Sequence, residues 1–305
     1  GSHPHLGQER RPIGAQMSRP VVTTLVLAVS LAACVEIISD PELPGPQPPD
    51  ASVADTIEGL GLDLVDAQVL RVLDGDSLEA IIDGVETEVR LQGINAPERD
   101  ECLGEAAKQR LEEVLDSGSV QIAGIEFDQF DRLIGIVTAG GLPVNVTQVA
   151  DGLAIPLAAE SPIDDLVLAA EERARALTVG IWDPASCGTG PVPEIVILSV
   201  DSNPPGRDEE ALDEERVVIR NRSSVAQDMS GWVLRDESTA NRFEFPDGTT
   251  LDAGAEKEIV VGCEPAPDRL TWCNDRPVWN NGGDTALLLD PDGRIVDAFR
   301  YRDES

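Results

Sequence analysis

The chain reads as mainly β with a few helices, divided into two domains of different character. Its 305 residues, 41% of them hydrophobic, are enough for two cores of ordinary size. Between residues 67 and 91, three short runs rich in Val, Ile and Leu are separated by Asp-Gly pairs. Beyond about residue 192 the sequence breaks into short strand-like runs between turn signals.

The first domain is expected over residues 61–190. Its runs at 67–73, 76–82 and 85–91 read as strands, with Asp74-Gly75 and Asp83-Gly84 as tight turns, because glycine takes positive φ without steric cost. Ala107, Leu111, Val114 and Leu115 recur at helical spacing and predict a helix over 105–115. Further strands follow at 120–127 and 133–138. A last helix is expected to open at Ser161-Pro162-Ile163-Asp164, with serine as cap, proline in the first turn and aspartate three residues after the cap. Its stripe of Ile163, Leu166, Val167, Ala170, Ala174 and Leu177 would pack on the strands.

Residues 1–33 read as a leader. Residues 1–16 show no periodicity, and Met17 reads as the natural start. Arg19 precedes thirteen apolar or small residues, Val21 to Ala33, too few to span a bilayer but suited to a secretory signal. Leu31-Ala32-Ala33-Cys34 resembles a bacterial lipobox, in which Cys34 would be lipidated; an ordinary signal with a chance cysteine is the alternative. Multiple acyl chains would hold the protein stably on the membrane. Residues 34–60 form a proline-rich, acidic linker that would act as a spacer. The expected location is the outer face of the cell membrane.

After residue 91 the chain leaves the sheet at Gly93 and turns through Ala96-Pro97, placing Asn95 and Glu98 on a loop near the strand that carries Asp76. Three oxygen-bearing side chains and Arg90 therefore have reason to converge. Asp74-Gly75-Asp76-Ser77, then Arg90-Leu91-x-Gly93-Ile94-Asn95-x-Pro97-Glu98, then Asp128-x-x-x-Arg132, with a helix between the second and third blocks, resembles the staphylococcal nuclease family of calcium-dependent phosphodiesterases. The resemblance implies an OB-fold five-stranded barrel with packed helices, DNA or RNA as substrate and calcium as cofactor. Hydrolysis of a phosphodiester wants a hard cation on oxygen ligands, here Asp76 and Asn95 with help from Asp74. It wants a carboxylate to orient or deprotonate water, here Glu98. Arg90 and Arg132 would hold the phosphate oxygens and the extra charge of the transition state.

The match has departures. Asn95 stands where the family often has aspartate, so calcium should bind more weakly. Gln129 and Phe130 replace a lysine and a tyrosine, and the stretch after Gly152 lacks the tyrosines that stack on a base. Taken singly, Asp74 and Asp76 also read as turn and cap residues, Glu98 as part of a solvated loop, and the two arginines as strand-surface cations.

With Cys34 set aside, four cysteines remain. In secreted relatives of this family Cys102 would pair with Cys187; Cys263 would pair with Cys273. A zinc site has little support, because no CxxC spacing exists and His3 and His5 precede the signal. A mature chain without histidine excludes Ser-His-Asp chemistry and histidine-based nuclease mechanisms.

The second domain is expected over residues 191–305. The order of its runs, from Glu215-Arg216-Val217-Val218 through Ser230-Gly231-Trp232 and Phe245-Pro246-Asp247-Gly248 to Asn280-Asn281-Gly282-Gly283-Asp284 and Asp292-Gly293, resembles the lamin tail domain, an immunoglobulin-like β-sandwich. No catalytic constellation appears there. Asn281 and Asp284 read as turn formers, and Trp232, Trp272 and Trp279 as core or sandwich-edge residues. The resemblance implies an accessory or adhesion role, with a ligand the sequence does not name.

Charge is the second constraint. The formal net charge is -34, and residues 34–305 carry 20 cations against 56 acids. Nucleic-acid binders usually present a basic footprint. Adaptation to high salt, where screening shortens repulsion to a few ångströms, is one resolution. A calcium-binding surface module without nuclease activity is a second, and an acidic surface that serves solubility alone is a third.

Overall fold

The computed structural model describes residues 59–158, 160–188, 192–205, 207, 210–238, 240–265 and 267–302. Met17, the apolar run at 21–33, Cys34 and the proline-rich linker as far as residue 58 lie outside them. All described residues belong to one unit, Pro44–Ser305.

The expected strands form nearly where the pattern puts them: β1 (Val65–Val72), β2 (Ser77–Ile82) and β3 (Val85–Leu91) make an antiparallel meander. After a two-residue β4 (Ile94–Asn95), helix α1 (Gly104–Leu115) buries Ala107, Leu111, Val114 and Leu115. Strands β5 (Val120–Phe127) and β6 (Leu133–Ala139) complete the barrel. β1 pairs with β2 and β5, β5 with β6, and β6 runs parallel to β3, so five strands close on themselves as a barrel. Leu78, Val89, Leu91, Ile122 and Ile136 fill it, each fully buried.

One helix is absent from the sequence expectation. After β7 (Leu142–Pro143), α2 (Val144–Ala150) is built from Val-Asn-Val-Thr-Gln-Val-Ala, a composition that favours strands. Asn145, Thr147 and Gln148 are as buried as its valines, so no amphipathic stripe marks it. Internal hydrogen bonds compensate: Asn145 Oδ1 accepts from the Val137 amide at 2.9 Å, and its Nδ2 donates to the carbonyl of Gln92.

β8 (Ile155–Pro156) pairs with β4, and α3 (Asp164–Leu177) packs through Val167, Ala170 and Ala174. Two expectations fail here. Ile163, not Ser161, is the N-cap, because Ser161 closes a preceding turn by accepting the Asp164 amide on its carbonyl and the Ile163 amide on its hydroxyl. Leu177 lies at the helix end and is 46% exposed rather than packed. Cys102 and Cys187 are bonded, with Cα atoms 5.9 Å apart.

Among the described residues the second domain has ten strands: β9 (Ile195–Asp201), β10 (Arg216–Asn221), β11 (Gln227–Asp228), β12 (Val233–Arg235), β13 (Arg242–Glu244), β14 (Thr250–Leu251), β15 (Glu256–Val260), β16 (Arg269–Thr271), β17 (Gly283–Leu289) and β18 (Ile295–Arg302). Two four-stranded sheets, β16-β15-β10-β9 and β13-β12-β17-β18, enclose a core containing Trp232, Trp279 and Phe245, with Trp272 packed against it. Cys263 and Cys273 are bonded, Cα atoms 4.1 Å apart. Asp284 does close the 280–284 turn, accepting from the Asn280 amide at 3.1 Å, but it is a fully buried residue of β17 rather than a surface turn former.

The two domains share apolar and polar contacts. Ile155 and Ile181 of the first cluster with Leu287, Leu289 and Ile295 of the second. Arg300 donates to the Pro156 carbonyl at 3.1 Å, and Arg302 pairs with Asp164 at 2.8 Å. Among the described residues no helix is long and apolar enough to cross a membrane.

Candidate active site

Asp74, Asp76, Arg90, Asn95, Glu98 and Arg132, six residues from three separate stretches of chain, line a single cleft of about 440 Å³. A larger hollow of about 790 Å³, on the outer side of β1 and α1, holds Arg71, Arg99 and Lys108 but none of these six.

The β1–β2 turn presents the two aspartates. The Leu73 amide bonds the Ser77 carbonyl at 2.8 Å, and the Asp76 amide bonds Asp74 Oδ1 at 3.0 Å. Gly84 takes the left-handed conformation expected of an Asp-Gly turn, with φ +82°, but Gly75 does not. Gly75 serves close approach instead: a Cβ there would lie 2.6 Å from the Cβ atoms of both Ala96 and Ala107.

Asp76 ties this turn to the next loop. Its Oδ2 accepts the Ala96 amide at 2.6 Å and lies 3.0 Å from Arg90 Nη2, while Oδ1 accepts the Ser77 hydroxyl at 3.1 Å. Arg90 is held in turn: Nη1 donates to the carbonyls of Leu91 and Ile94 at 2.9 and 2.7 Å, and Nη2 to Asn95 Oδ1 at 3.0 Å. Burial pushes the Asp76 carboxyl up to about 6, with Arg90 pulling it down and Asp74 adding to the rise.

Glu98 stands on the loop before α1. Burial, then repulsion from Asp76 and Asp74, raises its carboxyl above the ordinary glutamate range. Among the described residues none donates a hydrogen bond to that carboxylate, while the Glu98 backbone is fixed: its amide donates to Glu101 Oε2 at 3.0 Å and its carbonyl accepts the Glu101 amide at 2.9 Å.

Arg132 follows the turn between β5 and β6. Asp128 accepts the backbone amides of Phe130 and Arg132 at 2.9 Å each and the Arg132 guanidinium at 2.8 Å. Burial alone would raise Asp128, but these bonds outweigh it and hold its carboxyl below the usual range. The guanidinium carbon sits 5.3 Å from the Phe130 ring centroid.

Sequence reasoning missed part of the lining. Glu88 is two residues before Arg90 on the same face of β3, a relation the strand period could have revealed. Glu237, Ser238 and Ala240 come from the second domain, and nothing local in the sequence announces them. Among the described residues no three His, Cys, Asp or Glu side chains come together as a ready metal shell. The cleft does offer hard oxygen donors in Asp74, Asp76 and Asn95, and burial, with neighbouring carboxylates adding to it, raises the pKa of Asp76 and Glu98. That chemistry fits a hard divalent cation.

A family model described as Staphylococcal nuclease homologue matches residues 88–184, and one described as Lamin Tail Domain matches residues 189–303. The nuclease match begins inside β3, yet the barrel that closes around it also needs β1 and β2. Micrococcal nuclease of Shigella flexneri is 32% identical over 128 residues, covering 38% of this chain and 74% of that protein. Protein ParB of Escherichia coli is 31% identical over 128 residues, 38% of this chain and 72% of its own. Endonuclease YncB of Bacillus subtilis strain 168 is 30% identical over 132 residues, 39% of this chain and 62% of its own. The chain therefore belongs to the staphylococcal nuclease family, with a lamin tail domain following its nuclease-like barrel.

Proposed function

We propose that this protein is a calcium-dependent nuclease that hydrolyses phosphodiester bonds of DNA or RNA. One observation carries the reading: Glu98, whose carboxylate receives no hydrogen bond from the described residues, shares a cleft with Arg90, Arg132 and the oxygens of Asp76 and Asn95. The names of the micrococcal nuclease and endonuclease relatives support it.

Asp76, Asn95 and Asp74 would hold the calcium ion. When bound, it offsets the phosphate charge and withdraws electron density from phosphorus. Glu98 orients the attacking water and takes its proton; a raised pKa makes it a stronger base than an ordinary glutamate. Arg132, aimed by Asp128, holds a phosphate oxygen and stabilises charge as the phosphorus–oxygen bond to the leaving group breaks. Arg90 keeps Asp76 and Asn95 in register and adds a second positive charge.

The same reading makes the protein an exported one, tethered through lipidated Cys34. The apolar run before that cysteine and the two disulfides support export. A net charge of -34 repels a polyanionic substrate at low ionic strength, so cleavage should be fastest in concentrated salt.

The test is hydrolysis of single-stranded DNA and RNA by the full chain across a calcium titration. Wild type cuts with calcium and stops with chelator, and Arg132→Ala lowers the rate by about 100- to 1000-fold. Cutting that ignores chelator, or an Arg132→Ala protein as fast as wild type, would overturn the reading.

A further inference from the structure

We propose that the lamin tail domain is a working part of the nuclease cleft, with Arg235 of its β12 acting through Glu101 as the positioning residue for Glu98. The inference rests on Glu98 being the group that acts on water, and it gives the second domain a task in the chemistry of the first.

Arg235 is fully buried, with no exposed side-chain surface, and Glu101 is 2% exposed. Their contact is bidentate: Nε donates to Oε1 and Nη2 to Oε2, both at 2.9 Å. Such fork-to-fork pairing fixes the plane of the carboxylate as well as its place. Oε2 of that carboxylate is the acceptor for the Glu98 amide at 3.0 Å. The line from the sandwich to the backbone of Glu98 thus has two hydrogen-bonded steps, with a second arginine, Arg242, closing on Oε1 at 3.1 Å.

The other side of Arg235 faces the cleft wall. Its Nη1 donates to the Asp236 carbonyl at 3.0 Å, and Asp236 holds the next turn through the Ser238 amide at 2.8 Å and Asn241 at 2.7 Å. Glu237, next along, is anchored to the barrel side by the Ala158 amide at 2.7 Å and to β17 by the Thr285 hydroxyl at 2.7 Å. Glu237, Ser238 and Ala240 then line the cleft itself. One segment of the sandwich therefore both holds the loop of Glu98 and supplies a wall of the site.

Two buried charges cost more to desolvate than a plain domain contact would need, and apolar side chains of similar volume would join the domains as well. What apolar groups could not supply is an oriented acceptor for the Glu98 amide. A carboxylate misplaced by about 1 Å can cost about 100-fold in rate, so the pair acts where a small displacement matters.

The experiment is kcat and KM of the full chain on single-stranded DNA for wild type, Glu98→Gln, Arg235→Lys, the double variant Glu101→Met/Arg235→Met and the combination Arg235→Lys/Glu98→Gln. Arg235→Lys keeps the buried charge but loses the bidentate grip, so kcat should fall about threefold to tenfold with KM changed less than about twofold. The Met/Met variant replaces the buried pair by apolar groups of similar volume and should fold, with kcat down about 10- to 100-fold. In the Glu98→Gln background Arg235→Lys should cost nothing further, because there is no longer a base to position. Unchanged kcat in Arg235→Lys or in the folded Met/Met protein overturns the proposal, as does an equal Arg235→Lys effect with and without Glu98. Full activity in Glu98→Gln would instead sink the reading of Glu98 itself.

Discussion

Gly75 and Gly104 set how closely α1 approaches the two loops that carry the acids. At Gly75 an added Cβ meets Ala96 and Ala107, and at Gly104 it would run into the backbone carbonyl of Glu98. Neither contact can give cheaply, since backbone or a packed helix stands on the far side. Gly104→Ala should therefore destabilise the protein by about 1–3 kcal/mol and displace Glu98, with cleavage falling more than stability explains. A urea melt beside a rate measurement checks this; a variant with wild-type stability and rate would mean the loop is looser than its hydrogen bonds imply. At this scale the convergence of Asp74, Asp76, Arg90, Asn95, Glu98 and Arg132 on one cleft was legible, through the Asp-Gly turn, the loop after Gly93 and the family motifs. The steric reason for Gly75 was not, because Ala96 and Ala107 reach it only after folding. Arg235 and Glu101 were invisible for a similar reason: 134 residues separate them, and each alone is an ordinary charged residue.

Strands came through in the sequence where alternation and turn chemistry agree. β2 and β3 flank Asp83-Gly84, whose residues take φ of 51° and 82°, so the short-range signal was complete. Helix α2 failed on both signals, being short, β-branched and buried all round. Its Gln148 explains why a helix stands there, since Nε2 donates to the carbonyls of Gly75 at 2.6 Å and Ala107 at 3.0 Å and so braces the Asp74–Asp76 turn against α1. The start of α3 was misplaced because Ser161 can cap a turn as readily as a helix. The Cys102–Cys187 bond ties the loop before α1 to the end of the barrel domain across 85 residues, which in the chain-entropy model contributes about 4–5 kcal/mol. It thereby secures the same loop that Arg235 grips from the sandwich.

Across the whole molecule, buried acids and surface charge act in the same direction. Burial raises Asp284 to about 7 and Asp236 to about 6, with Asp76 also near 6. In the unfolded chain these groups return to the ordinary range near 4. A carboxyl raised by folding gives stability that is full below its unfolded pKa and lost as pH rises through its folded one. Metal-free protein should therefore melt at a higher temperature at about pH 5.5 than at about pH 8, the reverse of a protein held by ion-paired carboxylates. Calorimetry in chelator reads this directly, and a melting temperature that falls on acidification over that range would contradict it. The surface excess, -34 overall, relaxes with the same change of pH and adds to the rise.

The most direct measurement is cleavage of single-stranded DNA by the full chain and by Glu98→Gln, side by side, in calcium and in chelator at low and molar salt. Glu98 as the base predicts calcium-dependent cutting that strengthens with salt and a loss of about 100- to 10,000-fold in the glutamine variant. A folded wild-type protein that cuts under none of these conditions, or a Glu98→Gln protein that cuts as fast, would contradict it.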